Sequence, residues 1–493
     1  MSVDKIISHL HSYPPRYGPE WGSGGIFGLK YYKKMLYYTV AFDAEAHFIK
    51  DYDEQLYNFR MLGKAPASGG DTYNAVEAVD DFLYFGGWVH APAIYKGGKI
   101  SFKNKYSHVH EYNIEDDSLR LLWKDSIHHS TKWAGEVSDI IYDPYEDRLL
   151  IARQDGDEHL GVYAIDRDTG DEKKLTDSPS LKGDILHDSA FFTSGDSFSK
   201  GIQKVMCFDL IEKKWTEFPV NNIISMDGED ILVNSVGDVA SIYNRFFVFT
   251  RGGILIGNPL SGENFRAARL FDFFTFQSPM RSNTLYINGG VLIAYNAHHD
   301  ALYSVKTLED KVKYTLTNAI VAPTLLIYIA PPMAKIVGAF GARITSMEIV
   351  GDKIVIGTST SPNLGAGDAV PYDTGHRGFS ILNINALQNP PPPVSITMPL
   401  ALISLVMQKT EHYNFGGVPL DGYRNPKLII YASKSNKLTI YEYDLSLPLT
   451  YSHSDSFPIL PGKNVIDLSA FSGIVSFSLK NIDAVGKIRI VLE

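Results

Sequence analysis

The 493-residue chain is short of several things, and each shortage removes a class of protein. A single cysteine, Cys207, leaves no internal disulfide to form, so a disulfide-built secreted scaffold is excluded. Positive charge is not in excess: 46 Lys+Arg stand against 56 Asp+Glu, for a net charge of −10. General nucleic-acid binding relies on clustered Lys and Arg and is therefore not expected. Long hydrophobic runs are missing too. The longest, Ala319–Ala330 and Pro399–Met407, fall short of the roughly 18–20 residues of a membrane span, so no transmembrane segment is expected and both read as buried strands. The N-terminus, MSVDKIISHLHSYPPRYGPEW, has no basic region followed by an apolar core, which points to a cytoplasmic protein. Glutamine is confined to Gln55, Gln154, Gln203, Gln277, Gln388 and Gln408, a scarcity that suits a thermophilic source. With 21% charged and 12% aromatic residues, the chain is too apolar for disorder and long enough for a large core.

What the sequence does have is repetition. GVYAIDRDTGDEKKL from Gly161 alternates apolar and polar residues into an Asp/Gly corner and leaves again as a second strand, the pattern of an antiparallel hairpin. Similar hairpins begin at His47, His110, Lys204, Ile254, Ala301, Gly378 and Leu438. Their corners fall at Asp51, Glu115, Asp166, Asp209, Asn258, Lys306, Asn383 and Asp444. Two further short strands precede most of them, as in VSDIIYDP with RLLIARQ from Val137, NTLYING with VLIAYN from Asn283, and TSMEIVG with KIVIGTS from Thr345. Four short strands per unit of about 40–60 residues is the signature of β-propeller blades, which bury both faces only by stacking on neighbours.

The expected fold is all-β: one propeller of seven or eight four-stranded blades over residues 24–462, with two β-sandwich domains as the alternative. Residues 1–23 form an N-terminal arm, with a helix over Val3–His11, and the strands of 463–493 are expected to close the ring. The resemblance to propellers is one of pattern, since the Gly-His and Trp-Asp pairs of WD40 repeats and the regular double glycines of kelch repeats are absent. As a whole the chain is similar to an uncharacterised family of archaeal proteins. That resemblance implies an archaeal, thermophilic source and no assigned activity.

In a propeller the loops between second and third strands share one rim with the blade-to-blade loops, and concave sites form there. This sequence puts many of its histidines and acids at those positions: His90, the run Arg153 to His159, His298-His299-Asp300, Asp373 and His376-Arg377. The blade-to-blade loops add Asp71, Glu77, His128-His129, Glu136 and His187-Asp188. One reading is a site for a divalent metal ion, with His90, His159 and His187 as ligands and Asp155 or Asp188 as acid/base in a metal-assisted hydrolase or lyase. The plainer reading is that polar residues occupy solvated loops. Trp88, Trp133, Arg153 and His376 are candidate binding residues, the two tryptophans as stacking surfaces or as core.

His108-Val-His110 enters a strand, where residues two apart face one side and could chelate. His9-Leu-His11 sits on a helix or arm, where that spacing does not share a face. Asp155, Asp157 and Glu158 crowd one acidic loop without calcium-hand spacing. No phosphate loop, nucleophile elbow or zinc-type cysteine pair is present. Cys207 is expected inside a third strand as a small core side chain. The reading favoured on balance is a non-catalytic binding propeller whose partner is a protein, peptide or carbohydrate, since no catalytic constellation has a recognisable spacing.

Overall fold

The computed structural model describes residues 3–14, 24–50, 53–96, 99–100, 104–127, 135–154, 159–195, 202–220, 225–227, 236–273, 277–297, 323–360, 376–401, 413–450, 452–481 and 483–493. The fold is all-β and of the β-propeller class, with a short helix at Val3–His9. Sheet 1 runs Ile26–Tyr32, Met35–Val40, Glu45–Lys50, Asp53–Tyr57, each strand antiparallel to the last. Sheets 3 (Val137 to Thr176), 4 (Gly183 to Pro219) and 5 (Val236 to Arg269) repeat that order. Sheets 2 (Ser68 to Ile127) and 6 (Gln277 to Phe340) add one short strand ahead of the same four. Sheet 7 has three strands, Arg343–Val350, Lys353–Ser359 and Arg377–Asn383.

The residue types explain the order. Second strands such as Met35–Val40 (MLYYTV) and Ser189–Ser194 (SAFFTS) are buried at every position, as strands covered on both faces must be. Fourth strands such as Asp53–Tyr57 (DEQLY) and Glu172–Thr176 (EKKLT) are polar and largely exposed, which keeps the sheet edge from pairing with other chains.

Two compact units divide the chain. The first holds residues 1–219, 281–283 and 342–384, and the second holds 220–280, 284–341 and 385–493. Within the first unit the opening strands of successive sheets lie side by side. Arg343–Val350 packs on Ile26–Tyr32, which neighbours Val76–Val79; that strand neighbours Val137–Asp143, and the last neighbours Gly183–Leu186. The arm joins in at Tyr13, which exchanges backbone hydrogen bonds with Arg377 (2.7 and 3.2 Å) in the position a fourth strand of sheet 7 would take. Arg377 is fully buried there, pairing with Asp43 (2.8 Å) and donating to the carbonyls of Ala41 and Pro14.

The second unit carries sheets 5 and 6 and a different C-terminal architecture. Val394–Pro399, Lys487–Leu492, Lys427–Ala432 and Gly462–Asp467 form one sheet, while Tyr413–Pro419, Ile474–Leu479, Asn436–Tyr443 and His453–Ile459 form another. Their inward faces share one apolar core, with Ile396, Leu428, Ile430 and Ile490 on one side and Phe415, Leu438, Ile440 and Phe477 on the other. This is a β-sandwich.

Of the expected corners, Glu115 lies between a third and a fourth strand, Asp166, Asp209 and Asn258 end third strands, and Asp51 lies outside the described residues. The later expectations need correction. The Lys306 corner lies outside the described residues, and sheet 6 turns at Pro331-Pro332, between Thr324–Ala330 and Met333–Phe340. The strand after Asn383 does not return to sheet 7: Val394–Pro399 pairs with Lys487–Leu492, because Pro390–Pro393 carries no amide donors and leads the chain away extended. The Leu438 hairpin forms, but inside the sandwich. The strands of 463–493 pair with sandwich neighbours, so the expected boundary at 462 cuts through paired strands instead of closing a ring.

Candidate functional site

The residues singled out from sequence divide into buried, separated and undescribed ones. Trp133 and Asp155 lie outside the described residues, as do His128-His129 and His298-His299-Asp300; of His159 only the backbone is described, opening the strand His159–Asp166. Trp88 is buried (1% exposed), packed edge-on against Phe42 at 5.5 Å, so its ring presents no stacking surface to solvent. His90 ends the strand Phe82–His90 fully buried; burial, with Lys105 nearby, lowers its pKa to about 3 and keeps it neutral. Arg153 is equally buried, ion-paired with Asp125 at 2.8 Å and sandwiched between Trp123 and Tyr163.

His187 and Asp188 are exposed, but they occupy the turn between Gly183–Leu186 and Ser189–Ser194. That is the start of a second strand, whereas His90 is the end of one, so the two histidines belong to opposite strand ends. The expectation that His187-Asp188 forms a blade-to-blade loop is thereby corrected: a four-residue first strand fits before it, and His187 adopts φ +56° in the tight turn. Asp188 accepts a hydrogen bond from Tyr145. His376 is exposed, its amide donating to Thr360 Oγ1 at 2.8 Å. Among the described residues no group of three or more His, Cys, Asp or Glu side chains is placed to hold a metal ion.

The His-x-His pair in Lys105–Asn113 does share one side. His108 and His110 bring Nδ1 to Nδ1 at 3.0 Å, and Tyr57 Oη meets His110 Nε2 at 3.2 Å. Both rings are fully buried among Phe59 and Phe85, and burial pushes both toward the neutral form. They form a polar tie in an apolar interior. Cys207 is a core residue of Lys204–Asp209, its thiol pushed up to about 11 by burial, which leaves it unreactive.

A different constellation emerges in the first unit. The strand Phe82–His90 pairs with Ser68–Gly70 at one end and Val76–Val79 at the other, so Asp71–Ala75 loops out between them. Glycine makes this excursion possible: Gly70 has φ +125°, and a Cβ on Gly87 would sit 2.4 Å from the Gly70 carbonyl oxygen. Asp71, 1% exposed, accepts from the amides of Tyr73 (2.7 Å) and Ala75 (2.8 Å). Burial nonetheless pushes its pKa up to about 6, against those amides and the charge of Lys182. Thr72 donates its amide and hydroxyl to buried Glu136 (2.9 and 2.8 Å), and Lys182 donates to the carbonyl of Tyr73 (2.7 Å) while facing Asp139 at 3.5 Å. Asp71 and Glu136 were legible as loop acids; Thr72 and Lys182 were not, because ordinary polar residues carry no spacing signal.

The opening strands themselves carry the exposed chemistry. Glu77, Asp184 and Glu348 each accept a hydrogen bond from the amide of the next residue: Ala78 at 2.9 Å, Ile185 at 2.8 Å and Ile349 at 2.7 Å. This tether orients each carboxylate in the same way on Val76–Val79, Gly183–Leu186 and Arg343–Val350. Lys30, on Ile26–Tyr32, exerts its charge on both Glu77 and Glu348, and Asp184 acts on Glu77. All four are half-exposed, yet protein surrounds Glu77 and Glu348 closely enough that burial raises both carboxyls above the usual range.

Fold and site together define a β-propeller protein with an appended sandwich. The chain belongs to a family described as an uncharacterized protein conserved in archaea (DUF2139), whose model matches residues 36–367. None of the curated proteins matches it. Among solved structures it is similar to a streptogramin B lyase at 7% identity, covering 76% of this chain and 98% of that one with a TM-score of 0.41. It is also similar to an exo-β-1,3-galactanase from Phanerochaete chrysosporium at 8% identity, 86% and 96% coverage and a TM-score of 0.32. A family 43 arabinoxylan arabinofuranohydrolase from Bacillus subtilis follows at 10% identity, 85% and 94% coverage and 0.28. Nothing about substrate or reaction comes with likenesses this distant. No helix among the described residues is long and apolar enough to cross a membrane.

Proposed function

We propose that the protein is a non-catalytic binding propeller that holds a cationic segment of a partner protein or peptide on the inner strands of its first unit, in the cytoplasm. The observation that supports this reading is the set Glu77, Asp184, Glu348 and Lys30. Glu77 and Glu348, tethered to the amides of Ala78 and Ile349 and raised by burial, have Lys30 as their nearby cation and gain most from a further incoming one. The metal-assisted hydrolase reading would need His90, His159 and His187 to converge, and the described residues give it no support. A fluorescein-labelled oligolysine peptide, titrated into the full chain at low salt, tests the proposal. Binding at least about tenfold weaker in Glu77→Gln is expected, because one charge-assisted contact contributes about 1.5–3 kcal/mol. Equal binding by wild type and variant would remove this surface from the account.

A further inference from the structure

The N-terminal arm, sheet 1 and sheet 7 meet at one histidine. His47, on Glu45–Lys50, is 4% exposed, its ring stacked on Tyr38 (4.7 Å between centroids, 8° between planes) and met edge-on by Tyr13 at 5.2 Å. Its Nδ1 lies 2.7 Å from Glu54 Oε1, and its Nε2 faces Glu45 Oε2 at 3.7 Å, an ion-pair distance longer than a hydrogen bond. The arm is wired into the same group: the Tyr13 and Tyr38 hydroxyls are 2.6 Å apart, and Tyr38 Oη donates to Glu54 Oε1 at 3.4 Å. Behind Tyr13 stands Arg377 with its partner Asp43, and the His11 ring lies 4.3 Å from Tyr13. Below the arm, Ile6 packs in an apolar cluster with Leu36, Ile49, Val350 and Val355.

We propose that His47 is a proton-operated latch for the arm: protonated, it bridges Glu45 and Glu54 beneath Tyr13 and keeps residues 3–13 on sheets 1 and 7; deprotonated, it leaves two carboxylates without their shared cation, and the arm comes away. Burial alone would discharge the ring, but Glu45 and Glu54 outweigh it and hold His47 above the ordinary histidine range. His47 in turn holds Glu54 below the usual carboxylate range, helped by the charges of His11 and His9. The signs follow from linkage. A raised histidine contributes fully below its unfolded pKa and loses that contribution as pH rises through the folded value; a depressed glutamate loses its contribution as pH falls. Tyr13 and Tyr38 are pushed up by burial and stay neutral throughout. Arm docking is thus greatest at mildly acidic to neutral pH and weakens on the alkaline side. Release would bare the cluster around Leu36 and Val355 and free the backbone of Arg377.

Amide hydrogen exchange of the full chain, read by mass spectrometry from about pH 5.5 to about pH 9 and corrected for intrinsic exchange, tests the latch. In wild type the protection of residues 3–13 should fall at least about tenfold across a single titration, while the strand Met35–Val40 keeps its protection. His47→Gln should flatten that fall, and His9→Asn with His11→Asn should retain it. Should His47→Gln fail to fold, Glu45→Gln must move the midpoint to lower pH, since one of the two anions holding the proton is gone. A fall that survives His47→Gln, an unmoved midpoint in Glu45→Gln, or no fall in wild type would each overturn the latch. None of these outcomes bears on the inner-strand carboxylates.

Discussion

Two charged clusters, one in each unit, look alike in composition and differ in every physical respect. In the second unit Arg269 is fully buried. Its Nε donates to Asp227 at 2.8 Å, its Nη1 pairs with Asp272, Ser476 donates to Asp227 at 2.7 Å, and Tyr443 donates to the Arg269 carbonyl at 2.6 Å. That cluster ties the strand Glu263–Arg269 to the sandwich strand Ile474–Leu479, and Arg251 supplies a second cation beside Asp272, so two arginines face two aspartates within the protein. In the first unit Lys30, Glu77, Asp184 and Glu348 are half-buried; Lys30 acts on Glu77 and Glu348, and Asp184 acts on Glu77. The difference separates charge closed on itself in the interior from charge that stays accessible to solvent. A closed set of partners is structural.

The comparison can be broken by substitution. The largest effect is expected from Arg269→Met, which strands Asp227 and Asp272 in the interior and should cost about 3–5 kcal/mol in denaturant unfolding. A loss below about 1 kcal/mol would mean that the buried cluster is not the tie described. Next comes Asp71, whose buried carboxyl is pushed up to about 6. The folded state holds that proton more tightly than the unfolded chain, so stability falls as pH rises from about 4 to above 6, by up to about 3 kcal/mol. Asp71→Asn should remove that slope, and parallel slopes in variant and wild type would contradict the assignment. Lys30→Met is expected to have the smallest effect on stability, about 1 kcal/mol or less for so exposed a group. It should tighten oligolysine binding several-fold by removing the competing cation, and weaker binding would assign Lys30 to the wrong side of the balance.

Much of this architecture is visible in the residues, and its limits have physical causes. The hairpins at Asp166 and Asp209 are legible because strict alternation into an Asp turn has one economical structure. The sandwich is not, because Asn436–Tyr443 and His453–Ile459 make the same local hairpin that a blade makes. What separates them is pairing with Ile474–Leu479, a partner remote in sequence that local pattern cannot name. The rim histidines misled for a related reason: His90 and Trp88 read as loop-end polar and aromatic residues, but tertiary packing buries both. Glu77 was noticed as an acid without the feature that matters, its tether to Ala78 beside Lys30, which depends on strands from four sheets lying together.

The most direct test of the central claim reads two properties from one variant, Glu77→Gln with Glu348→Gln. The account predicts opposite signs at neutral pH. Unfolding should need as much denaturant as in wild type or more, because the desolvated charges are gone, and oligolysine binding should fall by at least about tenfold. A variant that unfolds more readily while binding the peptide as wild type does would show that these carboxylates serve the fold and hold no ligand.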